Sequence, residues 1–230
     1  VAELAARRAR SGGPSDNARQ ADRRKLSSGY NQASTQTTAS GSMMISIKQR
    51  SQSQQTSTRF VKLDFDGSPL PDDAESWHCA QSQETGLVWE VKRFDGGLRD
   101  NEHTYTWLLS AVDSTENRSG VPDGGQCLFS RCDAVGYIDE INKLGLCGSH
   151  QWRLPTFAEL DTLLDRDFYD PVINQRVFIH TRSGRYMTST ATASNSPLIM
   201  YIDFFNGASF GGRKDLGYFI RLVSSDDGRP

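Results

Sequence analysis

The sequence predicts an α+β domain preceded by a long polar arm. Three observations carry this expectation. Two stretches have helical periodicity with capping residues. Several short apolar runs are separated by turn residues, as in a small, mostly antiparallel sheet with long loops. Composition also breaks sharply near residue 59: residues 1–60 hold only Tyr30 and Phe60 as aromatics.

The break is also one of charge. Of 26 Lys and Arg and 28 Asp and Glu, residues 1–60 carry ten basic and three acidic, leaving 16 basic and 25 acidic beyond them. A basic arm therefore faces an acidic globule. Within the arm, residues 1–10 read as a short basic helix stopped by Ser11-Gly12-Gly13-Pro14. Residues 27–58 are rich in Ser, Thr and Gln, a composition that alone cannot offset its ordering entropy. One segment differs: Met43, Ile45 and Ile47 alternate as one side of a strand. The expectation for residues 1–58 is an assembly arm lying on neighbouring subunits, with 43–48 adding a strand to another chain's sheet. The alternative is packing against its own acidic globule.

The globule, residues 59–230, opens with Phe60, Leu63 and Phe65, and a strand is expected over Leu87–Val91. Tyr105, Trp107 and Leu108 resume the core after a loop at 94–101, and 113–126 is a polar excursion. Val135, Ile138 and Ile141 predict a helix over 133–142. The densest punctuation lies at 147–160. Trp152 and Leu154 alternate with Arg153 as a short strand does, Pro155 ends it, and Thr156 with Glu159 forms a capping box. Leu160, Leu163 and Leu164 then share a helical face, predicting a helix over 156–165. Three closing strands are expected near 186–190, 198–205 and 217–223, with 206–216 a Gly-rich turn region.

No run of eighteen apolar residues is present, so no membrane span is expected. The chain begins with Val; either a leader was removed or the numbering starts inside a longer chain. The histidines His78, His103, His150 and His180 sit in no catalytic context, and neither a Gly-x-Ser-x-Gly elbow nor a phosphate-binding loop occurs. No enzyme activity and no cofactor are expected. Calcium is the metal worth weighing, for Asp64, Asp66, Asp72 and Asp73 cluster, but a solvated acidic loop is the plainer reading. Nucleic acid is not an expected partner: the basic arm lacks interleaved aromatics.

Several motifs, in order, resemble the Lcl C-terminal domain family of bacterial surface and secreted proteins. They are Thr85-Gly86-Leu87-Val88-Trp89-Glu90-Val91-Lys92, Thr104-Tyr105-Thr106-Trp107, Cys127 with Arg131-Cys132-Asp133 and Asn142, Gly145-Leu146-Cys147-Gly148, Trp152-Arg153-Leu154-Pro155-Thr156 with Glu159-Leu160, and Ile220-Arg221-Leu222-Val223. The resemblance covers about residues 60–224. Tyr186-Met187-Thr188-Ser189-Thr190 departs from it, standing where a Trp-Ser-Ser core is expected. The resemblance implies a C-type-lectin-like fold, an extracellular or cell-surface location and disulfides Cys79–Cys147 and Cys127–Cys132. Formylglycine-generating enzymes share the central corner loosely, but their activity needs reactive cysteines, and here all four match disulfide positions. The family's association with sulfated glycosaminoglycans directs attention to Arg182, Arg185, Arg213 and Lys214, beside Tyr186 and Phe210, as a glycan-binding set.

The expected function is therefore a non-enzymatic exported subunit of a bacterial surface fibre, appendage or large extracellular assembly, whose arm contacts copies of itself or other subunits. The alternative is an adhesin for sulfated or acidic polysaccharide.

Overall fold

The computed structural model describes residues 59–108, 120–193 and 196–225. These all lie in the larger of two compact units of the chain, Lys48–Pro230. Met43, Ile45 and Ile47, with the rest of the expected arm, lie outside the described residues.

Two antiparallel sheets and two helices make up the described architecture. The first sheet has the order β1 (Phe60–Leu63), β2 (Cys79–Ser82), β3 (Val88–Glu90) and β7 (Val223–Ser224). The second contains β4 (Arg185–Ala191), β5 (Leu198–Asp203) and β6 (Ala208–Arg213) in sequential order. Helix α1 spans Ala134–Leu144 and α2 spans Phe157–Asp161.

Alternation along β1 to β5 sends side chains from both faces into apolar clusters, while most of β6 stays exposed. Leu63, Cys79 and Val88 enter one apolar cluster, while Phe60, Ala80 and Trp89 enter a second. In the other sheet, Met187, Ile199 and Tyr201 join the first cluster, and Tyr186 and Ile202 the second. The four tryptophans divide evenly: Trp107 and Trp152 in one cluster, Trp77 and Trp89 in the other.

The helices begin where their caps require. Asp133 Oδ1 accepts the Gly136 N–H at 2.7 Å and starts α1. Gly145, at φ 66°, ends it in the left-handed conformation. A Cβ there would also lie 2.8 Å from the His150 ring, so the position needs glycine on two counts. Thr156 and Glu159 form the reciprocal capping box of α2.

Five details differ from the sequence expectations, the last being the strand expected near 217–223, of which only Val223 lies in a strand. The expected single sheet is two sheets. The helix expected over 156–165 stops at Asp161, with turns following. Arg153 makes only an isolated bridge to Val223 rather than a strand. The Gly-rich stretch 206–216 contains β6 rather than only a turn: Gly212 packs so closely that a Cβ would lie 2.2 Å from the Tyr218 hydroxyl and 2.8 Å from the Tyr201 ring. Glycine here admits two tyrosines against the strand, a packing role that resembles turn chemistry in sequence. Residues 217–223 join the sheets mostly through isolated bridges, Tyr105 to Tyr218 and Tyr186 to Phe219.

Disulfides join Cys79 to Cys147 and Cys127 to Cys132, the pairs that the resemblance implies. The first ties β2 to the turn after α1 across a sequence separation of 68, and the second closes a separation of 5. Loop-closure entropy grows with the logarithm of length, so the first contributes more. The Cys79→Ala/Cys147→Ala variant should lose about 2–4 kcal/mol in denaturant unfolding, and the Cys127→Ala/Cys132→Ala variant less.

Candidate functional site

At the centre of the interior stands a charged cluster. Glu90 on β3 is fully buried, as is Arg221, and Lys92 and Arg99 are nearly so. The Tyr137 hydroxyl of α1 donates to Glu90 Oε1, Lys92 Nζ lies 3.2 Å from that oxygen, and the Leu222 N–H donates to Oε2 at 3.2 Å. Arg221 donates to the Glu90 carbonyl at 2.6 Å and to the Thr181 hydroxyl at 2.7 Å, with its guanidinium over the Phe178 ring. Burial opposes ionisation of Glu90, but Lys92, Arg99 and the hydrogen bonds outweigh it and hold the carboxyl below its ordinary value. Burial lowers Lys92 against the attraction of Glu90. With no solvent-exposed atom of consequence, this cluster braces β3, α1 and the chain before β7. It is not a site open to a ligand.

The corner at Arg153 is the second structured polar feature. Arg153 pairs with both carboxylate oxygens of Glu159 at 2.7 and 2.8 Å, and the Thr156 N–H donates to Oε2 at 2.8 Å. Those bonds from Arg153 lead the causes that lower Glu159 from the ordinary carboxyl value of 4.5 to about 2.

The six residues proposed for glycan contact occupy several places. Tyr186 is 1% exposed, packed on Phe204 and Phe219 beneath the surface, and accepts the Arg182 N–H. It cannot stack on an external sugar ring, because β4 turns it into the second apolar cluster. Lys214 is only 6% exposed, its ammonium 4.2 Å from the Trp107 ring centroid, and burial lowers its pKa. The arginines are exposed but paired: Arg182 with Glu102 at 3.1 Å, Arg185 with Asp203 at 3.9 Å and Arg213 with Asp215 through two bonds. Phe210 is 56% exposed and leans on Tyr201, with ring centroids 6.1 Å apart, and the Arg185 guanidinium lies 5.5 Å from the Tyr201 ring.

The strand register separates these groups further. Asp203, the partner of Arg185, pairs with Ala208 at one end of β6, and Arg213 pairs with Leu198 at the other. Five residues of strand put about 16 Å between the two backbones. At the Arg213 end, Gly120, Val121, Pro197, Arg213, Lys214 and Asp215 line an open cleft of about 410 Å³. The candidate site is thus this cleft, with Phe210 and Arg185 further along the sheet.

The acidic loop weighed for calcium is used in a turn: Asp64 Oδ1 accepts the N–H groups of Asp66 and Ser68 at 3.0 and 2.8 Å. Among the described residues, no group of three or more His, Cys, Asp or Glu is arranged to hold a metal ion. No helix among them is long and apolar enough to cross a membrane. His150 meets the Asn142 carbonyl at 2.6 Å, and His103 lies 3.5 Å from the Tyr105 hydroxyl.

The family model described as the Lcl C-terminal domain matches residues 78–224, more than half of the chain. The chain belongs to the Lcl C-terminal domain family. No curated protein and no solved structure matches it. Within this Lcl domain the motif residues fill interior and capping positions, and the cleft lies on the β6 side. Sequence reasoning missed Trp107 beneath Lys214 and the carboxylates beside the arginines. Asp215, two residues from Arg213, was the one legible partner; Glu102 and Asp203 come from distant parts of the chain.

Glu159 supplies a pH test. Its folded pKa is depressed, so its stabilisation is present above the unfolded value and is lost as pH falls through the folded one. At pH 7, Glu159→Gln should cost about 1–2 kcal/mol, a figure discounted for the partial exposure of the pair. Unfolding of both proteins between pH 7 and 2 should show the difference shrinking from about pH 4.5 downward.

Proposed function

We propose that this chain is a non-enzymatic, exported subunit of a bacterial surface fibre, appendage or large extracellular assembly. Residues 1–58 make the contacts with copies of the same chain or with other subunits, and a C-type-lectin-like Lcl domain is displayed outside. The observation that carries this reading is the disulfide-braced Lcl domain, joined to a basic stretch of opposite charge. Disulfides persist in oxidising compartments, which supports an extracellular location. A polar, basic stretch beside an acidic domain favours association between chains through complementary charge.

A second reading is supported by the cleft. Arg213 and Lys214 line it beside Pro197 and Val121, which offers an anionic sugar both charge and an apolar floor. In that reading the displayed domain is an adhesin for sulfated or acidic polysaccharide. Because Asp215 already holds Arg213, binding requires sulfate to share or displace that partner, so affinity is modest and salt-sensitive.

Two experiments test these readings. Sedimentation and electron microscopy of the full chain should show assemblies that a chain starting at Phe60 fails to form; equal assembly by both overturns the first reading. A full chain with Arg213→Ala and Lys214→Met should bind immobilised heparin at least tenfold more weakly, roughly 1.4 kcal/mol. Unchanged retention overturns the second.

A further inference from the structure

The two disulfides are set differently. Cys79 and Cys147 are buried in the first apolar cluster, and their bond spans a separation of 68. Cys127 and Cys132 are only half-buried and close a loop of separation 5. A bond across so few residues removes little freedom from the unfolded chain, so folding and the bond reinforce each other weakly. Partial exposure also lets a thiol reach it.

The chain on both sides of this short loop is pinned without the disulfide. Gln126 and Thr104 exchange backbone bonds at 2.8 and 2.9 Å. The Cys132 carbonyl accepts the N–H groups of Thr106 and Gly125 at 3.1 and 2.9 Å, and the Cys132 N–H donates to Asp123 Oδ1 at 2.8 Å. Asp133 Oδ2 accepts the Asp123 N–H at 2.9 Å, while its Oδ1 caps α1. Inside the loop the situation is reversed. Among the described residues, no N–H from 127 to 131 donates to a backbone carbonyl. Phe129 stands at φ 69°, a left-handed conformation unfavourable for a bulky residue. Leu128 and Phe129 are 57% and 69% exposed, so packing does little to offset that cost.

We infer that Cys127–Cys132 is a redox-sensitive clasp, which dithiols open selectively to release the Leu128–Phe129 tip while the rest of the domain stays folded. This goes beyond the assembly and adhesin readings and rests on neither. A thiolate of the dithiol attacks one of the two sulfurs; the S–S bond breaks and the other sulfur leaves as a thiolate. The second thiol of the reductant then displaces the attached cysteine. The dithiol departs as a cyclic disulfide, oxidised by two electrons, and Cys127 and Cys132 take up its two protons as thiols. With the ring open, Phe129 is free to return to negative φ, and the apolar tip loses its fixed shape. The oxidised form thus displays a preorganised apolar pair, and the reduced form does not.

The experiment titrates the native full chain with dithiothreitol, traps thiols with N-ethylmaleimide and maps the labelled peptides by mass spectrometry. Cys127 and Cys132 should be labelled at a dose about tenfold or more below that needed for Cys79 and Cys147. At the dose that opens only the short loop, hydrogen exchange should rise over 127–131 and stay unchanged over Ala134–Leu144, with Tm lower by no more than a few degrees. Labelling of Cys79 and Cys147 at the same or a lower dose overturns the inference, as does loss of protection across α1. Phe129→Gly supplies a residue at ease with positive φ, so it should raise the dose that opens the loop severalfold. An unchanged or lower dose for that variant removes the link between the bond and the tip, and the inference falls with it.

Discussion

The structure depends on one buried carboxylate. Glu90 sits at the end of β3, where its side chain meets Tyr137 of α1, Lys92 and the Leu222 N–H, and its own carbonyl takes Arg221. A charge at 0% exposure is tolerable only when its oxygens are satisfied and cations stand close. Here three cationic side chains, Lys92, Arg99 and Arg221, surround it, all strongly buried. The arrangement fixes where the helix and the chain ahead of β7 lie against the first sheet. Apolar packing alone is less selective, because hydrophobic contact has no direction.

This explains why the family motifs say so little about a ligand. Trp89, Glu90 and Lys92 supply interior packing and charge. The Asp133 carboxylate caps α1, and Arg153, Thr156 and Glu159 hold the start of α2. Trp152 donates to the Leu146 carbonyl at 2.9 Å, and Trp107 to the Thr188 carbonyl at 3.0 Å, which anchors two loops to the core. Of the groups the sequence offers for glycan contact, those left exposed are Phe210 and the arginines on or beside the second sheet. Their charges are largely balanced by Glu102, Asp203 and Asp215, so the surface is better suited to specific short-range contacts than to long-range capture of a polyanion.

What the sequence made legible was local. Thr156 and Glu159 announced a helix start because both halves of a capping box lie within four residues. Val135, Ile138 and Ile141 announced α1 through simple periodicity. The cysteine pairing came from family resemblance rather than spacing. What it obscured was non-local. Gly211 and Gly212 looked like turn residues because the reason for Gly212, the approach of Tyr201 and Tyr218, lies in other parts of the chain. Tyr186 looked available to a sugar because its neighbours Arg182 and Arg185 are polar, yet strand alternation carries it inward. The candidate basic set looked contiguous because sequence shows neither the acidic partners nor the register that holds Arg185 and Arg213 apart.

The most direct test of the interior brace is a double-mutant cycle on Glu90 and Lys92, measured by denaturant unfolding at pH 7. Glu90→Gln and Lys92→Met should each cost about 3–5 kcal/mol, since each leaves an opposite charge buried without its partner. The double variant should be far more stable than the sum of those losses implies. Single losses below about 1 kcal/mol, or strictly additive ones, would contradict the account.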